Sequence, residues 1–400
     1  MLKTYKYRLY PTSNQIVLFE KHFGCARFVY NWGLQTKIDA YQKESKSLSF
    51  YSLIPLLAKL KSEPGKEWLY EVNSQSLQNS LFNLDKAFTK FFRDKKGFPK
   101  FKSKKNNRQS FQIPQNTKID FESNRISVPK IKSIKAKISR KFEGKIKTST
   151  ISKTPTGKFF ISILVETPDD IQSKPSIKEN KTIGIDLGLT HLAILSNGIK
   201  IDSPKFLKKS SHRLKLLQRR LSRKVKGSNN RNKSRLKVAL LHEKIENQRL
   251  DFLHKLTYFL THDNQVDTIC LENLNISGML KNHKLACSIS DASWSKFIEL
   301  LKYKCDWYGK NLLFIGRFEP SSKMCSCGAI NQLLTLADRS WICPSCKTLI
   351  EDRDIHAALN IKKFALQKQN IVGWESPEFT LAKYDSFIES GQESFAFRQK

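Results

Sequence analysis

Residues 320–361, PSSKMCSCGAINQLLTLADRSWICPSCKTLIEDRDIHAALNI, place two close cysteine pairs directly ahead of three acids and an Ala-rich helix. Zinc takes four soft ligands at tetrahedral corners, and two short-range thiol pairs roughly fifteen residues apart supply them from two facing knuckles. Cys325, Cys327, Cys343 and Cys346 are therefore candidate Zn²⁺ ligands in a structural site. The acids Glu351, Asp352 and Asp354 that follow suggest a second metal. A small ribbon ending where carboxylates begin is expected to be an insertion that positions a catalytic helix, and such a helix needs further acids from elsewhere in the chain.

The charge balance narrows the partners. Seventy-one Lys and Arg against 36 Asp and Glu give a net charge of +35 in 400 residues, a field that attracts polyanions. Because the positive charge recurs through several segments and is interleaved with Phe and Tyr, nucleic acid is preferred over a merely solubilising surface or a membrane surface. The N-terminus MLKTYKYRLYPT is charged and aromatic, unlike a signal peptide. No apolar run approaches the ~20 residues of a membrane span. These features fit a reducing cytoplasm, in a prokaryote at the nucleoid. Cys25, Cys270, Cys287 and Cys305 are scattered and are expected to be buried free thiols.

Residues 4–10 alternate, with Tyr5, Tyr7 and Leu9 on one face and Lys6 and Arg8 on the other, which predicts a half-buried strand. Pro11 ends it, and Thr12 with Gln15 forms a capping box for a helix carrying Ile16, Phe19, Phe23, Ala26 and Tyr30. Leu77, Leu81, Leu84, Phe88 and Phe91 mark a second helix. The stretch KKGFPKFKSKKNNR, Lys95 to Arg108, is too basic for a core and is a candidate nucleic-acid contact. Short alternating runs from Phe111 to Val165 suggest a small β-barrel. A polar linker from Glu166 to Lys181, with Pro168 and Pro175, is the clearest boundary.

Beyond it, TIGIDL (Thr182–Leu187) and Leu192–Leu195 read as buried strands, Val266–Leu271 as another that ends at Glu272, and Asn311–Ile315 as a last one. From Lys205 to Lys244 fifteen Lys or Arg face the single acid Glu243, predicting basic helices around a hinge at Gly227–Asn230 that bind a nucleic-acid backbone. Ser277–Asp291 is expected to be a lid loop, and Trp294, Phe297, Leu301, Cys305 and Tyr308 form a helical core stripe. Asp186, Glu272 and Asp354 thus stand at two strand ends and a helix start. Strand ends in an α/β sheet converge at one edge, where carboxylates can hold two Mg²⁺ ions ~4 Å apart for phosphodiester hydrolysis.

IGIDLGLTHLAIL, TICLENLN and CPSCKTLIEDRDIHAALNI resemble the three segments of the split RuvC nuclease of the transposon-encoded TnpB (OrfB) family, relatives of type V CRISPR effectors. YKYRLYPTSNQ and GFPKFKSKK resemble that family as well, and the segments occur in the family's order over residues 1–370. The resemblance implies an α/β fold: an RNase H-like (RuvC) nuclease domain with an inserted zinc ribbon, and an N-terminal wedge β-barrel interrupted by a helical recognition unit. The expected boundaries are 1–10 for the first barrel strand, 11–108 for the recognition unit and 109–170 for the rest of the barrel. They continue with 181–319 for the nuclease domain including basic helices at 205–260, 320–350 for the ribbon, 351–370 for the final nuclease segment and 371–400 for a loosely held tail.

The resemblance further implies a guide RNA encoded by the element and Mg²⁺-dependent cleavage of double-stranded DNA beside a short adjacent motif. By motif match, Asp186, Glu272 and Asp354 correspond to the family's catalytic, Mg²⁺-binding triad, and Asp352 is assigned to helix capping. Candidate nucleic-acid contacts are Tyr5, Lys6, Tyr7, Arg8, Lys100, Lys102, Lys104, Lys105, Arg213, Arg219, Arg220 and Arg223. Two departures stand out. The first knuckle is C-x-C where the family usually has C-x-x-C, although Gly328 is retained, and His356 replaces an Asn. The sequence leaves the oligomeric state open.

IGIDLGLT also matches the first phosphate loop of actin-like ATPases, but such a protein needs a second Gly-rich loop, and the sixteen glycines here form none. Strand transfer by the protein itself lacks a histidine-hydrophobe-histidine motif or paired tyrosines. An RNA-guided DNA-binding regulator that does not cleave is the remaining alternative. Retention of all three acids argues against it.

Overall fold

The computed structural model describes residues 1–105, 109–170, 172–262, 266–335 and 337–369. Asn106–Arg108 of the basic stretch and the tail from 371 lie outside the described residues. The chain divides into two units, Met1–Asp170 and Ile171–Lys400, and the division falls inside the Pro-containing linker.

The N-terminal unit opens with strand β1 (Leu2–Tyr10), then helix α1 (Ser13–Glu44). The start of α1 is set by the capping box: Gln15 N donates to Thr12 Oγ1 and Thr12 N to Gln15 Oε1 at 2.9 Å. Helix α2 (Phe50–Ser62) follows, capped by Ser49; Pro55 inside it hides its periodicity from a sequence reading. Helix α3 (Ser74–Arg93) is capped by Asn73. Val29 and Leu34 of α1, Leu53 and Leu57 of α2, and Leu77 and Leu81 of α3 share one buried cluster.

Strands β2 (Gln109–Ile113), β3 (Lys118–Asp120), β4 (Arg125–Val128), β5 (Ile131–Lys137), β6 (Lys145–Lys153) and β7 (Phe159–Glu166) join β1 in a seven-stranded sheet of order β2-β6-β7-β1-β5-β4-β3. All its pairings are antiparallel. Alternate residues enter a single core, among them Leu9, Ile113, Ile126, Ile134, Ile151 and Ile161, which Phe19 and Phe23 of α1 cover. The hydrogen-bonded order ends at β2 and β3, so the expected barrel is observed as an antiparallel sheet whose strands share one core.

The C-terminal unit holds β8 (Thr182–Asp186), β9 (His191–Leu195), β10 (Lys200–Asp202), helices α4 (Phe206–Ser222) and α5 (Asn229–His262), β11 (Thr268–Glu272), the short α6 (Ile276–Met279) and α7 (Ala286–Ala292), α8 (Trp294–Trp307), β12 (Asn311–Ile315), the hairpin β13 (Trp341–Ile342) and β14 (Leu349–Ile350), and α9 (Arg353–Gln367). Its main sheet has the order β10-β9-β8-β11-β12. The β8–β9 and β9–β10 pairs are antiparallel, and β8, β11 and β12 run parallel.

Both faces of this sheet are covered, which explains why its strands read as continuous apolar runs rather than alternating ones. Ile183, Ile185, Ile269 and Leu271 point to a core shared with Leu256 of α5 and Phe297 and Leu301 of α8. Cys270 and Ile315 face the other way, against Ile361 and Ala365 of α9. Among the described residues no helix is long and apolar enough to cross a membrane.

Two expectations are corrected. Ser277–Asp291 is not a plain loop, because it carries most of α6 and of α7. Cys287 is exposed, since the first turn of α7 lies on the surface, whereas Cys25, Cys270 and Cys305 are buried as expected.

The end of that segment is tied to the basic helices. The buried Asp291 carboxylate accepts from Leu207 N at 3.0 Å, from Lys208 N at 3.2 Å and from Arg249 Nη2 at 2.9 Å. It therefore caps the start of α4 and fixes α5 together. Asp291→Ala is expected to destabilise the C-terminal unit by about 3 kcal/mol, because Arg249 loses its buried partner. Urea denaturation checks this; a midpoint matching the unchanged chain would contradict it.

Candidate functional site

The site is built on an unusually close helix–strand contact. A Cβ at Gly184, in the middle of β8, would lie 2.0 Å from the carbonyl oxygen of Ala358 and 2.9 Å from Lys362 N. No other residue lets the α9 backbone come this near. Ala357 and Ala358 are both buried at the contact. Side chains two apart on a strand and four apart on a helix share a face. Asp186 therefore lies on the face of β8 that meets α9, and Asp354 on the face of α9 that meets β8. Glu272 ends the neighbouring parallel strand β11, where Leu271 is in register with Ile185.

Electrostatics confirm that the three acids feel one another. The Asp186 carboxyl is pushed from its ordinary 3.8 to about 7, first by burial and then by the negative charges of Glu272 and Asp354. Each acid also has its own neighbours, the Leu187 backbone N–H for Asp186. Ser321 Oγ donates to Glu272 Oε1. Arg339 Nη1 donates to Asp354 Oδ2 at 2.9 Å, and Arg353 Nη2 to Oδ1 at 3.4 Å. Arg353 is itself buried and donates to Thr335 O at 2.8 Å, so the loop before β13 is seated on the start of α9.

Asp352 caps α9: its Oδ1 accepts from Asp354 N and Ile355 N, both at 3.0 Å, and its Oδ2 pairs with Lys200. One of its oxygens is thus committed to the helix end and the other to Lys200 of β10. His356 turns away from the acids, with Nε2 2.9 Å from Met324 O, which fixes the ring proton on Nε2. Burial lowers its pKa, keeping it neutral.

The four cysteines converge although the first knuckle is short. Cys325 and Cys346 sulfurs are 3.6 Å apart, Cys327 and Cys343 sulfurs 3.7 Å, and all four lie within 4.8 Å of one another. Four sulfurs at about 2.3 Å from a central zinc would be about 3.8 Å apart, so the set fits a tetrahedral Zn²⁺. The hydroxyl of Thr348 beside Cys346 helps push that thiol down to about 6, towards the thiolate a metal needs. Among the described residues this is the one group of three or more candidate ligands drawn so close.

The candidate nucleic-acid contacts divide by exposure. Tyr7 is corrected: it is only 2% exposed, its ring belongs to the sheet core and its hydroxyl donates to Arg140 O at 2.6 Å. Tyr5 packs on Phe142, with ring centroids 4.8 Å apart. Lys6 and Arg8 occupy the opposite face of β1, both over the Phe160 ring at 4.7 and 5.3 Å. Lys100, Lys104 and Lys105 are exposed. Lys102 is pinned through its backbone by Asn31, with its ammonium 3.8 Å from the Tyr30 ring centroid. Arg213, Arg219, Arg220 and Arg223 are all exposed on or just after α4, where Leu214, Leu241 and Ile245 hold the α4–α5 pair together.

Two features had no signal in the sequence. Arg339 and Ser321 reach the acids from turns whose course only the fold reveals. A polar cavity of about 250 Å³ in the N-terminal unit is lined by Arg27, Asn79 and Asn83 of two helices together with Lys102 and Gln109, a grouping that exists only in the folded chain.

Folding takes up a proton on Asp186, so stability falls as the pH rises from about 4 to about 7 and the carboxyl ionises against its neighbours. Asp186→Asn is expected to raise the thermal midpoint at about pH 8 and leave it nearly unchanged at about pH 4. Equal midpoints at both pH values would contradict the repulsion.

Three family descriptions match the chain in turn. A family described as "Probable transposase" (OrfB of IS605) matches residues 162–283, one described as "Helix-turn-helix domain" matches residues 1–46, and one described as "Cas12f1-like, TNB domain" matches residues 294–361. Residues 1–46 here form a strand and one long helix rather than two helices about a turn. A curated relative from Streptomyces pristinaespiralis, named "Putative RNA-guided DNA endonuclease", is 39% identical over 90% of this chain and 88% of its own length. The Escherichia coli (strain K12) protein named "Putative RNA-guided DNA endonuclease InsQ" is 31% identical over 90% of this chain and 91% of its own. Among solved structures, "Cryo-EM structure of the Cas12f1-sgRNA-target DNA complex" aligns at 18% identity over 90% of this chain and 99% of that one, with a TM-score of 0.35. Identity at this level across nearly the whole length of both curated relatives, with the OrfB match over the strands that carry Asp186 and Glu272, makes this chain a member of the IS605 OrfB (TnpB) family.

Proposed function

We propose that this protein is an RNA-guided DNA endonuclease of a transposable element, cleaving double-stranded DNA beside a short adjacent motif by Mg²⁺-dependent phosphodiester hydrolysis. The observation that carries this reading is the meeting of Asp186, Glu272 and Asp354 at one sheet edge, with Asp186 held protonated to about 7 by burial and its acidic neighbours. Burial and mutual repulsion make such a carboxylate cluster unfavourable, and bound cations would relieve both. The donor set is all carboxylate oxygen, which suits Mg²⁺ and not a thiolate-seeking metal. When bound, Mg²⁺ would supply charge stabilisation to the phosphodiester undergoing hydrolysis.

The chain's own groups do the rest. Asp186, Glu272 and Asp354 hold the cations. The Arg339 side chain, 64% exposed and paired with Asp354, is positioned to accept a backbone phosphate of the strand to be cut. The sheet order β10-β9-β8-β11-β12, with three parallel strands in its centre and edge, supports an RNase H-like (RuvC-type) nuclease domain. The cysteine cluster supports a zinc ribbon inserted before α9, and the seven-stranded antiparallel sheet supports a wedge barrel interrupted by the helical unit α1–α3.

Guide RNA and target DNA are assigned to the basic surfaces. Arg213, Arg219, Arg220 and Arg223 on the α4–α5 pair fit backbone phosphates, and Lys6 and Arg8 beside Phe160 offer cations next to an aromatic face. Target sequence is then read mainly by base pairing to the guide. The relatives named as RNA-guided DNA endonucleases support this assignment along nearly their full lengths.

The test is cleavage of a plasmid bearing a guide match, in Mg²⁺, by the protein purified with its RNA. Asp354→Ala is expected to lower the cleavage rate by about 10³-fold or more while leaving target binding intact. Recovery of no discrete RNA, or full cleavage by the variant, would overturn the assignment.

A further inference from the structure

Ser321 connects two parts of the C-terminal unit that the family assignment treats separately. The chain leaves β12 beside Glu272, whose register partner is Ile315, and turns back through residues 316–320. Gly316 N donates to Glu319 Oε1 at 3.0 Å and Ser321 N to Glu319 O at 2.8 Å, closing that turn. The turn delivers Ser321, only 6% exposed, so that its hydroxyl donates to Glu272 Oε1.

The backbone of the same residue is anchored on the other side. Asn360 of α9 is 3% exposed, and its amide nitrogen donates to both Ser321 O and Met324 O at 2.7 Å. Met324 O also receives His356 Nε2, and Met324 N donates to Pro320 O at 3.0 Å. Met324 immediately precedes Cys325. Thus one short segment touches Glu272 through a hydroxyl, α9 through two carbonyls, and the cysteine cluster through the next residue.

We infer that Ser321 is a positioning residue for cation binding, holding one oxygen of Glu272 so that the other faces Asp186 and Asp354. This rests on the proposal that those three acids bind a divalent cation. A flexible Glu side chain has three rotatable bonds, and fixing one oxygen removes much of the ordering that a cation would otherwise have to impose. Asp186 is held by the Leu187 backbone N–H and confined by the α9 contact, and Asp354 sits between two guanidinium groups. Glu272 takes its donor from a neutral side chain, Ser321. A hydroxyl serves there because, unlike an arginine, it leaves the carboxylate charge available to the cation.

The experiment uses the full-length chain without nucleic acid and follows its thermal midpoint as MgCl₂ is added, alongside the Mg²⁺ dependence of plasmid cleavage by the RNA complex. Bound cation relieves the carboxylate repulsion, so the midpoint should rise with Mg²⁺. Ser321→Ala is expected to raise the Mg²⁺ concentration for the half-maximal rise by about tenfold, with cleavage at saturating Mg²⁺ largely recovered. Ser321→Cys, similar in shape but a weak donor, should behave like Ser321→Ala, and Ser321→Thr should restore most of the affinity. Variants with a lowered metal-free midpoint but the unchanged chain's Mg²⁺ dependence would reduce Ser321 to a structural role and overturn the inference. If the unchanged chain shows no Mg²⁺ response, the carboxylate site itself falls and this inference with it. If it responds and all three variants respond alike, only this inference falls.

Discussion

Everything at the acidic site depends on α9 lying against the bare backbone of β8. The missing side chain at Gly184 leaves room for the Ala358 carbonyl, and even one methyl group there would overlap it at 2.0 Å. That contact decides how far Asp354 stands from Asp186, because one lies a helical turn from the contact and the other two residues along the strand. Glu272 is brought in by a different force, the parallel pairing of β11 with β8. The three acids come from segments far apart in the chain, and two short-range geometries, helix on strand and strand beside strand, make them neighbours.

The cost of that arrangement appears in Asp186. Burial and two nearby negative charges hold its carboxyl at about 7, so the folded protein carries a local repulsion at neutral pH. Surrounding contacts soften it unevenly. Arg339 and Arg353 reach Asp354, Lys200 takes Asp352, and Glu272 receives only a hydroxyl. The cysteine-bearing segment between β12 and α9 supplies Arg339, and the turn leading into it supplies Ser321. Its four sulfurs therefore matter less as chemistry than as the scaffold that fixes where those two side chains start.

Much of this was legible from residues alone, for identifiable reasons. The strands β8, β11 and β12 are short, apolar and covered on both faces, so they stand out, and the acids at two of their ends follow directly. Thr12 with Gln15 marks the start of α1, and Asp352 the cap of α9, because capping chemistry is local. What could not be read depends on tertiary contacts. The alternation groups Tyr7 with Leu9 on one face of β1, and only the packing shows how completely that face is buried, which removes Tyr7 from the candidate contacts. Pro55 masked α2, and the exposure of Cys287 depends on how α7 packs. Arg339 and Ser321 are a common arginine and a common serine until the fold brings them to Asp354 and Glu272.

The central claim is that Asp186, Glu272 and Asp354 form one divalent-cation site, held by the approach of α9 to Gly184. Anomalous diffraction from crystals of the full-length protein soaked in Mn²⁺ tests this most directly. The account predicts a peak about 2.2 Å from carboxylate oxygens of Asp186 and at least one of Glu272 and Asp354, lost in the Asp186→Ala protein. A Mn²⁺ peak elsewhere in the molecule, with none between these three acids, would contradict it.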